Sequence, residues 1–263
     1  MLRQRIFTAI IALAVLGVVL FAVPVAIARA VIAVLLLAGA WEWGGFIFGE
    51  NRQRRMIYVA FIGSLIALLY LNIQGQQVTD LVFVAALTWW FGALIWMFFY
   101  PTPVASIVVW LAGVFVLVPA WAALDFLYVQ SPTLLLVALL IVWVADIGAY
   151  FVGKGFGRVK LAPKISPGKS WEGVLGGLTA VTLLAGVGSQ YFEIGVSVLV
   201  PFCIGVAMLS IVGDLTVSMF KRNAGIKDSG SLFPGHGGVL DRIDSATAAA
   251  PLFALGLNWI GLQ

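Results

Sequence analysis

Long uninterrupted apolar segments constrain this chain more than any other feature of its sequence. They run for roughly 17 to 22 residues, which is enough for an α-helix to cross about 30 Å of hydrocarbon. Apolar residues make up 62% of the chain and charged residues only 10%, whereas a typical soluble domain has about 25% charged residues. The alternating pattern of a membrane β-barrel is absent, so the segments are predicted to be helices. The sequence therefore predicts an all-α, polytopic transmembrane helical bundle.

Prolines and polar segments divide the apolar sequence into nine predicted spans. Pro24 separates the first two spans, and Pro101 and Pro103 interrupt the sequence before the fifth, because proline cannot continue a helical hydrogen-bond ladder. Arg3 and Arg5 followed by an apolar segment also resemble a signal peptide, but that segment is long and more spans follow at once. The predicted spans cover residues 6–23, 27–48, 57–73, 81–99, 104–123, 133–153, 173–190, 196–218 and 240–260.

The distribution of basic residues predicts the orientation of the bundle. With the N-terminus in the cytoplasm, thirteen of the fifteen Lys and Arg residues fall on the cytoplasmic side, Arg29 falls outside, and Arg242 opens the last span. Asp80, Asp125 and Glu193 are then predicted to lie in outer loops. This asymmetry follows the positive-inside rule, so we expect a cytoplasmic N-terminus and a periplasmic C-terminus. The thirteen residues are Arg3, Arg5, Arg52, Arg54, Arg55, Lys154, Arg158, Lys160, Lys164, Lys169, Lys221, Arg222 and Lys227.

Polar side chains are divided unevenly along the chain. Residues 1–130 contain few of them within the predicted spans, apart from Glu42, and are interpreted as N-terminal transmembrane scaffold helices. The polar side chains of the predicted spans are concentrated from Asp146 onward, and residues 131–263 are interpreted as a C-terminal transmembrane catalytic region with cytoplasmic motif loops. The net charge of +4 comes from loops between spans, so it does not indicate nucleic acid as a partner. The single cysteine, Cys203, excludes a disulfide within the chain.

Four carboxylates lie within or at the ends of predicted spans, where a charge is costly and indicates a function. Asp146 lies within the sixth span, Asp214 lies near the cytoplasmic end of the eighth, and Asp241 and Asp244 open the ninth. The last two are three residues apart, so they project from nearly the same helix face. The helix dipole explains one carboxylate near a helix N-terminus, but not two on one face beside Asp214. Asp214, Asp241 and Asp244 are therefore predicted to bind Mg²⁺, which prefers oxygen ligands.

The segment between the eighth and ninth spans combines basic residues with glycines. Lys221, Arg222 and Lys227 can neutralise a polyphosphate, and three glycines within residues 235–238 allow the backbone to approach a ligand closely. His236, which lies among these glycines, either contacts the ligand or forms a structural hydrogen bond. The segment is therefore predicted to bind phosphate groups.

A second basic segment, residues 160–173, precedes the seventh span. Gly168, Lys169 and Ser170 resemble the end of a P-loop, but Pro163 occupies the position of the earlier glycine. Ser170 is instead predicted to be the N-cap of a helix, where Lys169 and backbone N–H groups can bind an anion. The alternative is a loop whose positive charges contact lipid head groups.

Residues 218–244 resemble the signature of phosphatidate cytidylyltransferases, which are also called CDP-diacylglycerol synthases. That signature can be written S-x-apolar-K-R-x4-K-D-x-small-x2-apolar-P-x-H-G-G-apolar-x-D-R-apolar-D, and this chain meets every specified position. Residues 146–150 and 166–173 are similar to two other stretches of the family, so the resemblance covers residues 140–250 by motif. The polar and glycine positions that match are Ser218, Lys221, Arg222, Lys227, Asp228, His236, Gly237, Gly238, Asp241, Arg242 and Asp244.

The resemblance implies a reaction in which CTP and phosphatidic acid give CDP-diacylglycerol and pyrophosphate. It implies Mg²⁺ as the cofactor, with room for a second, monovalent cation such as K⁺. The implied metal ligands are Asp214, Asp241 and Asp244, and the implied catalytic cations are Lys221, Arg222 and Lys227. The implied substrate-binding residues are Asp146, Lys169, Ser170, Glu172, Ser218, Asp228, His236, Gly237, Gly238 and Arg242.

The resemblance also implies a multi-pass protein of the bacterial cytoplasmic (inner) membrane, surrounded by membrane lipids, with its active site facing the cytoplasm. A homodimer is left open as an assembly. Two alternative functions are also left open. One is a related CTP-dependent enzyme that acts on another lipid, such as an isoprenoid alcohol or an ether lipid. The other is a cation-coupled transporter, for which we would expect internal repeats and charges along a pore.

Overall fold

The computed structural model describes residues 2–72, 76–230 and 237–261, except for the side chains of residues 2–9 and 76–78. Within those ranges the chain forms nine α-helices and one two-stranded antiparallel sheet. Each predicted span corresponds to one helix, so the predicted all-α class is confirmed. The elements are α1 (Leu2–Phe21), α2 (Val25–Phe48), α3 (Arg52–Asn72), α4 (Gln76–Met97), α5 (Ser106–Gln130), α6 (Pro132–Phe156), β1 (Lys160–Ala162), β2 (Ser166–Ser170), α7 (Trp171–Tyr191), α8 (Val196–Asn223) and α9 (Leu240–Ile260).

Seven of the described helices, α2 to α8, are long and apolar enough to cross a membrane, with α4 counted from Thr79. Helix α1 contributes a shorter apolar stretch, Ile10–Phe21, and α9 begins with a charged turn that contains Asp241. Large apolar side chains cover much of the outer surface, including Leu81 and Phe98, which are 70% and 81% exposed. Such a surface is favourable in lipid and unfavourable in water, so the fold is that of a polytopic membrane protein.

The chain leaves the helical conformation at both predicted proline breaks, between α1 and α2 and between α4 and α5. Pro24 is the N-cap residue of α2, and the break between α4 and α5 contains Pro101 and Pro103. Some helices extend beyond the predicted spans at their polar ends, because α3 already begins at Arg52 and α8 continues to Asn223. The backbone hydrogen bonds of a helix depend on its dihedral angles, so a helix can continue where the apolar sequence stops.

Asp125 lies in a helix, although the sequence predicts an outer loop for it. It belongs to α5, where its side chain is buried. Arg29 of α2 forms a bidentate ion pair with it, and both N–O distances are 2.7 Å. The guanidinium carbon of Arg29 also lies 4.6 Å from the centre of the Tyr70 ring. Because the guanidinium group neutralises the carboxylate, α5 can continue past the predicted end of its span.

Helices α6 and α7 pack closely through glycines of α7. A Cβ atom at Gly177 would lie only 2.6 Å from the carbonyl oxygen of Ala145, and one at Gly173 would lie 2.9 Å from that of Ala149. Gly173 and Gly177 are four residues apart, which is the spacing of small residues at close helix contacts in membranes. This contact holds Asp146 of α6 near the segment that leads into α7.

The loop between α6 and α7 contains a β-hairpin that the sequence does not predict. Strands β1 and β2 pair antiparallel, with Lys160 opposite Ser170. They contain three and five residues, which is too short to show a clear alternation of apolar and polar side chains. Between the strands, the carbonyl oxygen of Ile165 accepts a hydrogen bond from Nε of Arg222 at 3.2 Å. The hairpin is therefore attached to the end of α8.

Helix α9 lies inside the described bundle. It packs against α2, α4, α5, α6 and α8, and most of its side chains are buried. Ala248, Ala249 and Ala250 are small enough to let the neighbouring helices approach. Helices from both the N-terminal and the C-terminal parts of the chain therefore fix the position of the charged first turn of α9.

Candidate active site

Polar residues of α8 face the first turn of α9. Asp214, Ser218 and Lys221 are four and three residues apart in sequence, so they lie along one face of α8. The Ser218 hydroxyl donates a hydrogen bond to Oδ1 of Asp214 at 3.2 Å. Nζ of Lys221 lies 2.7 Å from Oδ1 of Asp241. The structure thus brings together predicted site residues from two helices.

Asp241 connects three parts of this site. Its Oδ1 is paired with Lys221, whereas its Oδ2 accepts hydrogen bonds from the backbone N–H groups of Ser229 and Gly238, each at 2.9 Å. Ser229 and Gly238 lie on the two described portions of the loop that joins α8 to α9. One carboxylate therefore holds both portions of this loop and neutralises a buried ammonium group.

Glu42 of α2 lies at the start of α9, although sequence reasoning assigns this part of the chain to the scaffold. Its Oε1 accepts a hydrogen bond from the N–H of Val239 at 2.9 Å, and its Oε2 accepts one from the N–H of Leu240 at 2.8 Å. The hydroxyl of Ser229 donates to Oε2 at 2.8 Å. The carboxylate thus binds N–H groups that have no acceptor within α9, and its negative charge is favourable at the positive end of the helix.

Helices α8 and α9 approach closely beside Asp214. A Cβ atom at Gly213 would lie 2.7 Å from the carbonyl oxygen of Asp244 and 2.8 Å from Cβ of Ala248, so glycine is required there. This contact brings the Asp244 carboxylate within electrostatic range of Asp214. Asp244 is only 7% exposed, and its Oδ1 accepts a hydrogen bond from the N–H of Ser245 at 2.8 Å.

Lys169 connects the hairpin to the same group of charges. Its ammonium group forms an ion pair with Asp214 and interacts electrostatically with Asp146 and Asp244. Asp146 also interacts with Asp214 and with Arg242. The resulting charged cluster contains four carboxylates and three cations, so an added cation would reduce the repulsion within it. It consists of Asp146, Lys169, Asp214, Lys221, Asp241, Arg242 and Asp244.

Ser170 and Glu172 fix the position of Lys169. The hydroxyl oxygen of Ser170 accepts a hydrogen bond from the N–H of Gly173 at 3.1 Å, which confirms the predicted N-cap of α7. The carboxylate oxygens of Glu172 accept from the N–H of Val159 at 3.1 and 3.2 Å. These contacts attach the beginning of β1 to α7 and hold the intervening hairpin in place.

A cavity of about 490 Å³ opens beside the charged cluster. Its walls come from α6, β2, α7 and α8, and its polar lining includes Asp146, Lys154 and Lys169. The rest of the lining consists of glycines, two serines, Tyr150 and apolar side chains such as that of Leu178. Tyr150, which also lines the cavity, is exposed on the outer surface of α6. The cavity therefore combines charged side chains with a mostly apolar lining and suits an amphipathic anion.

The remaining predicted site residues lie around this cluster. Arg222 attaches the end of α8 to the hairpin, and Lys227 and Asp228 are exposed on the following loop. Gly237 has a φ of 79°, in the left-handed region that favours glycine. His236 lies outside the described residues, and so the structure assigns it no position.

The carboxylate oxygens of the cluster suit a divalent cation such as Mg²⁺ that takes only one or two of its ligands from the protein. Within the described residues, no three His, Cys, Asp or Glu side chains are arranged to hold a metal ion by themselves. Both oxygens of Asp241 and both oxygens of Asp214 already have protein partners. Asp214 and Asp244 are neighbouring carboxylates that repel each other. Mg²⁺ is commonly bound by one or two carboxylates, with water and phosphate oxygens as its other ligands.

Comparisons with known proteins cover nearly the whole chain. A profile described as the cytidylyltransferase family matches residues 3–260. The chain is 43% identical over 271 residues to a phosphatidate cytidylyltransferase of Pseudomonas aeruginosa, covering 98% of this chain and 97% of that protein. It is 38% identical over 286 residues to one of Haemophilus influenzae, covering 97% and 98%. One of Synechocystis sp. is 47% identical over 126 residues, or 46% of this chain and 43% of that protein.

Proposed function

The chain belongs to the cytidylyltransferase family, and we propose that it transfers a cytidylyl group from CTP to phosphatidate. An oxygen of the phosphatidate phosphate forms a bond to the α-phosphorus of CTP. The bond between that phosphorus and the oxygen leading to the β-phosphorus breaks. The products are CDP-diacylglycerol and pyrophosphate, so the protein is a nucleotidyltransferase of phospholipid biosynthesis.

The observation that carries this proposal is that two members of the charged cluster, Asp146 and Lys169, line a cavity whose exposed lining is mostly apolar. CTP and phosphatidate are both anions, so they repel each other unless nearby cations reduce their charge. The attacking phosphate is already ionised at neutral pH, so the site does not need a general base. Positioning and charge neutralisation are then the main contributions of the protein to catalysis.

Mg²⁺ is the proposed cofactor, with Asp214 and Asp244 as the residues that hold it. When bound, it would reduce the negative charge on the phosphate oxygens and favour loss of pyrophosphate. Asp241, the third predicted ligand, differs from Asp214 in the kind of partner that it has. Its Oδ2 accepts from two backbone N–H groups of the loop, whereas Asp214 is held only by the side chains of Ser218 and Lys169, which can move away. We assign Asp241 to holding the loop. The cluster also leaves open a second, monovalent cation.

The basic side chains are proposed to bind the phosphates of the substrates. Lys169 belongs to the cluster and also lines the cavity. Its ammonium group can therefore leave Asp214 and bind a phosphate oxygen instead. Arg242 is exposed at the first turn of α9 and is assigned to the triphosphate. Arg222 and Lys227 lie at the loop side and would interact with the leaving pyrophosphate.

Phosphatidate is proposed to enter the cavity from the side of the bundle. The cavity is lined by α6 and α7, and large apolar residues beside it are exposed on the outer surfaces of these helices, including Phe151 at 68% and Leu175 at 64%. The acyl chains can therefore remain in lipid while the phosphate head group reaches Lys169. Because CTP is a cytoplasmic nucleotide, we also propose that the site faces the cytoplasm of a bacterial inner membrane, with the N-terminus on the same side.

The test is an assay of the purified protein in detergent with labelled CTP, phosphatidate and Mg²⁺, followed by extraction of the lipid. We expect label in the lipid fraction with phosphatidate and none when phosphatidate is omitted. Labelling of an isoprenoid or ether lipid in preference to phosphatidate would instead identify a related CTP-dependent enzyme. An absence of labelled lipid with every acceptor would contradict the proposed activity.

A further inference from the structure

The carboxylate of Glu42 fills a space that two glycines leave in the loop that joins α8 to α9. A Cβ atom at Gly230 or at Gly238 would collide with the carboxylate oxygens of Glu42. Glu42 is 6% exposed, so its charge is nearly removed from solvent and needs the hydrogen bonds that surround it. The loop and the α2 side chain are therefore complementary in shape as well as in hydrogen bonding.

Both oxygens of Glu42 act as hydrogen-bond acceptors. Each oxygen accepts from one backbone N–H, those of Val239 and Leu240, and Oε2 also accepts from the hydroxyl of Ser229. A glutamine side chain has only one acceptor oxygen. Whichever way its amide is turned, its NH₂ group would face one of the two backbone N–H groups, and two donors cannot bond to each other. Glutamine has nearly the same shape, but it cannot satisfy both donors.

The first turn of α9 transmits this contact to the charged cluster. Leu240, which donates to Glu42, is followed directly by Asp241, and Asp244 lies four residues after Leu240 on the same helix. A helix moves as a unit over such a distance, because its backbone hydrogen bonds connect successive turns. A change at Glu42 therefore changes the position of both carboxylates relative to Asp214.

We infer that Glu42 is a positioning residue for the cytidylyltransferase reaction, which acts by fixing the N-terminus of α9 so that Asp244 lies opposite Asp214. It touches neither of these carboxylates and is not itself a catalytic residue. The inference rests on the proposed function, but the contact that it describes can be measured without any substrate. The scaffold part of the chain thereby contributes directly to the geometry of the site.

The experiment compares Glu42→Gln with the wild type by hydrogen–deuterium exchange and by enzyme assay. We expect the amides of residues 237–242 to exchange about tenfold faster in the variant, because a hydrogen bond to a charged group is lost at the start of α9. We also expect the Mg²⁺ concentration for half-maximal activity to rise and kcat to fall by about a hundredfold, as a displacement of about 1 Å would cause.

Asp125→Asn is the matched control, because Asp125 is also a buried carboxylate of the N-terminal helices and is paired with Arg29. It should leave both the exchange at residues 237–242 and the Mg²⁺ requirement unchanged. If Glu42→Gln fails to fold, Glu42→Asp provides the same test, because it keeps the charge but is too short to reach both N–H groups.

Unchanged exchange at residues 237–242 in a folded Glu42 variant would overturn the inference. So would a variant that is less stable to heat but has the Mg²⁺ requirement of the wild type, because a purely structural role predicts that result. If the wild type itself fails to label phosphatidate, the proposed function fails. The exchange measurement still shows in that case whether Glu42 holds α9.

Discussion

Nζ of Lys221 lies 2.7 Å from Oδ1 of Asp241, and the two side chains are only 9% and 8% exposed. The pair joins the last turn of α8 to the first turn of α9, on either side of the loop that contains the signature residues. A buried ion pair contributes little net stability compared with apolar residues of the same size, but removal of one partner is costly because the other charge remains buried.

This ion pair predicts that a protein with both partners replaced is more stable than one in which only Lys221 is replaced. Lys221→Met should lower the free energy of unfolding by about 3–5 kcal/mol, because the charge of Asp241 is left without its ammonium partner. Adding Asp241→Asn removes that charge and should restore part of the stability, but not the activity. Thermal unfolding in detergent and the labelled-CTP assay measure the two effects. A double variant as unstable as Lys221→Met would show that the pair does not determine the stability.

Gly213→Ala is predicted to separate α8 from α9. The new methyl group would meet the carbonyl oxygen of Asp244 at 2.7 Å, and relief of that contact should cost about 1–3 kcal/mol and lower activity tenfold or more. Gly205→Ala on the same helix is the control, because the nearest atom to its Cβ, Cδ2 of Leu252, is 4.0 Å away. Equal activities of the two variants would contradict the close approach at Gly213.

Asp214→Asn is predicted to abolish activity without unfolding the protein. Its side chain is 24% exposed, so loss of its charge should change the stability little, whereas loss of a metal ligand should reduce kcat by at least about a hundredfold. Ser218→Ala removes only the 3.2 Å hydrogen bond to this carboxylate and should have a much smaller effect on kcat. Activity of Asp214→Asn near that of the wild type, at any Mg²⁺ concentration, would exclude Asp214 as a ligand.

The orientation of the bundle can be tested with single cysteines. Cys203, the only natural cysteine, is buried, and its replacement by alanine provides a background without thiols. Lys164→Cys in the hairpin and Glu193→Cys between α7 and α8 are both at exposed positions. A reagent that cannot cross membranes should label residue 193 in right-side-out vesicles and residue 164 only in inverted vesicles, because the positive-inside rule places the basic hairpin in the cytoplasm. The reverse pattern would invert the proposed topology.

Much of the fold could be predicted because it depends on local sequence. The break at Pro24 follows from the missing N–H of proline, and the N-cap at Ser170 follows from a hydroxyl placed before a helical segment. The length and composition of the apolar segments determine the number of helices. Each of these features is contained within a short window of sequence.

The features that sequence reasoning missed depend on contacts between distant residues. Glu42 binds Leu240 across a separation of 198 residues, and only its presence in an otherwise apolar segment pointed to a role. Asp125 appeared to belong in a loop because its partner, Arg29, lies 96 residues away. For Asp241, the sequence spacing identified the helix face, but it could not show that Lys221 bonds to one carboxylate oxygen and two loop N–H groups bond to the other.

The polar contacts of Arg29 and Glu42, both on α2, limit how this chain can be cut into fragments or combined with other chains. Arg29 is paired near one end of α2 and Glu42 is bonded near the other, so the helix connects α5 to the beginning of α9. A fragment that begins after residue 130 would lack the acceptor for two N–H groups and much of the surface that covers α9. The smallest portion of the chain that retains this site must therefore include α2, and a chimera that exchanges the N-terminal helices must keep a carboxylate at position 42.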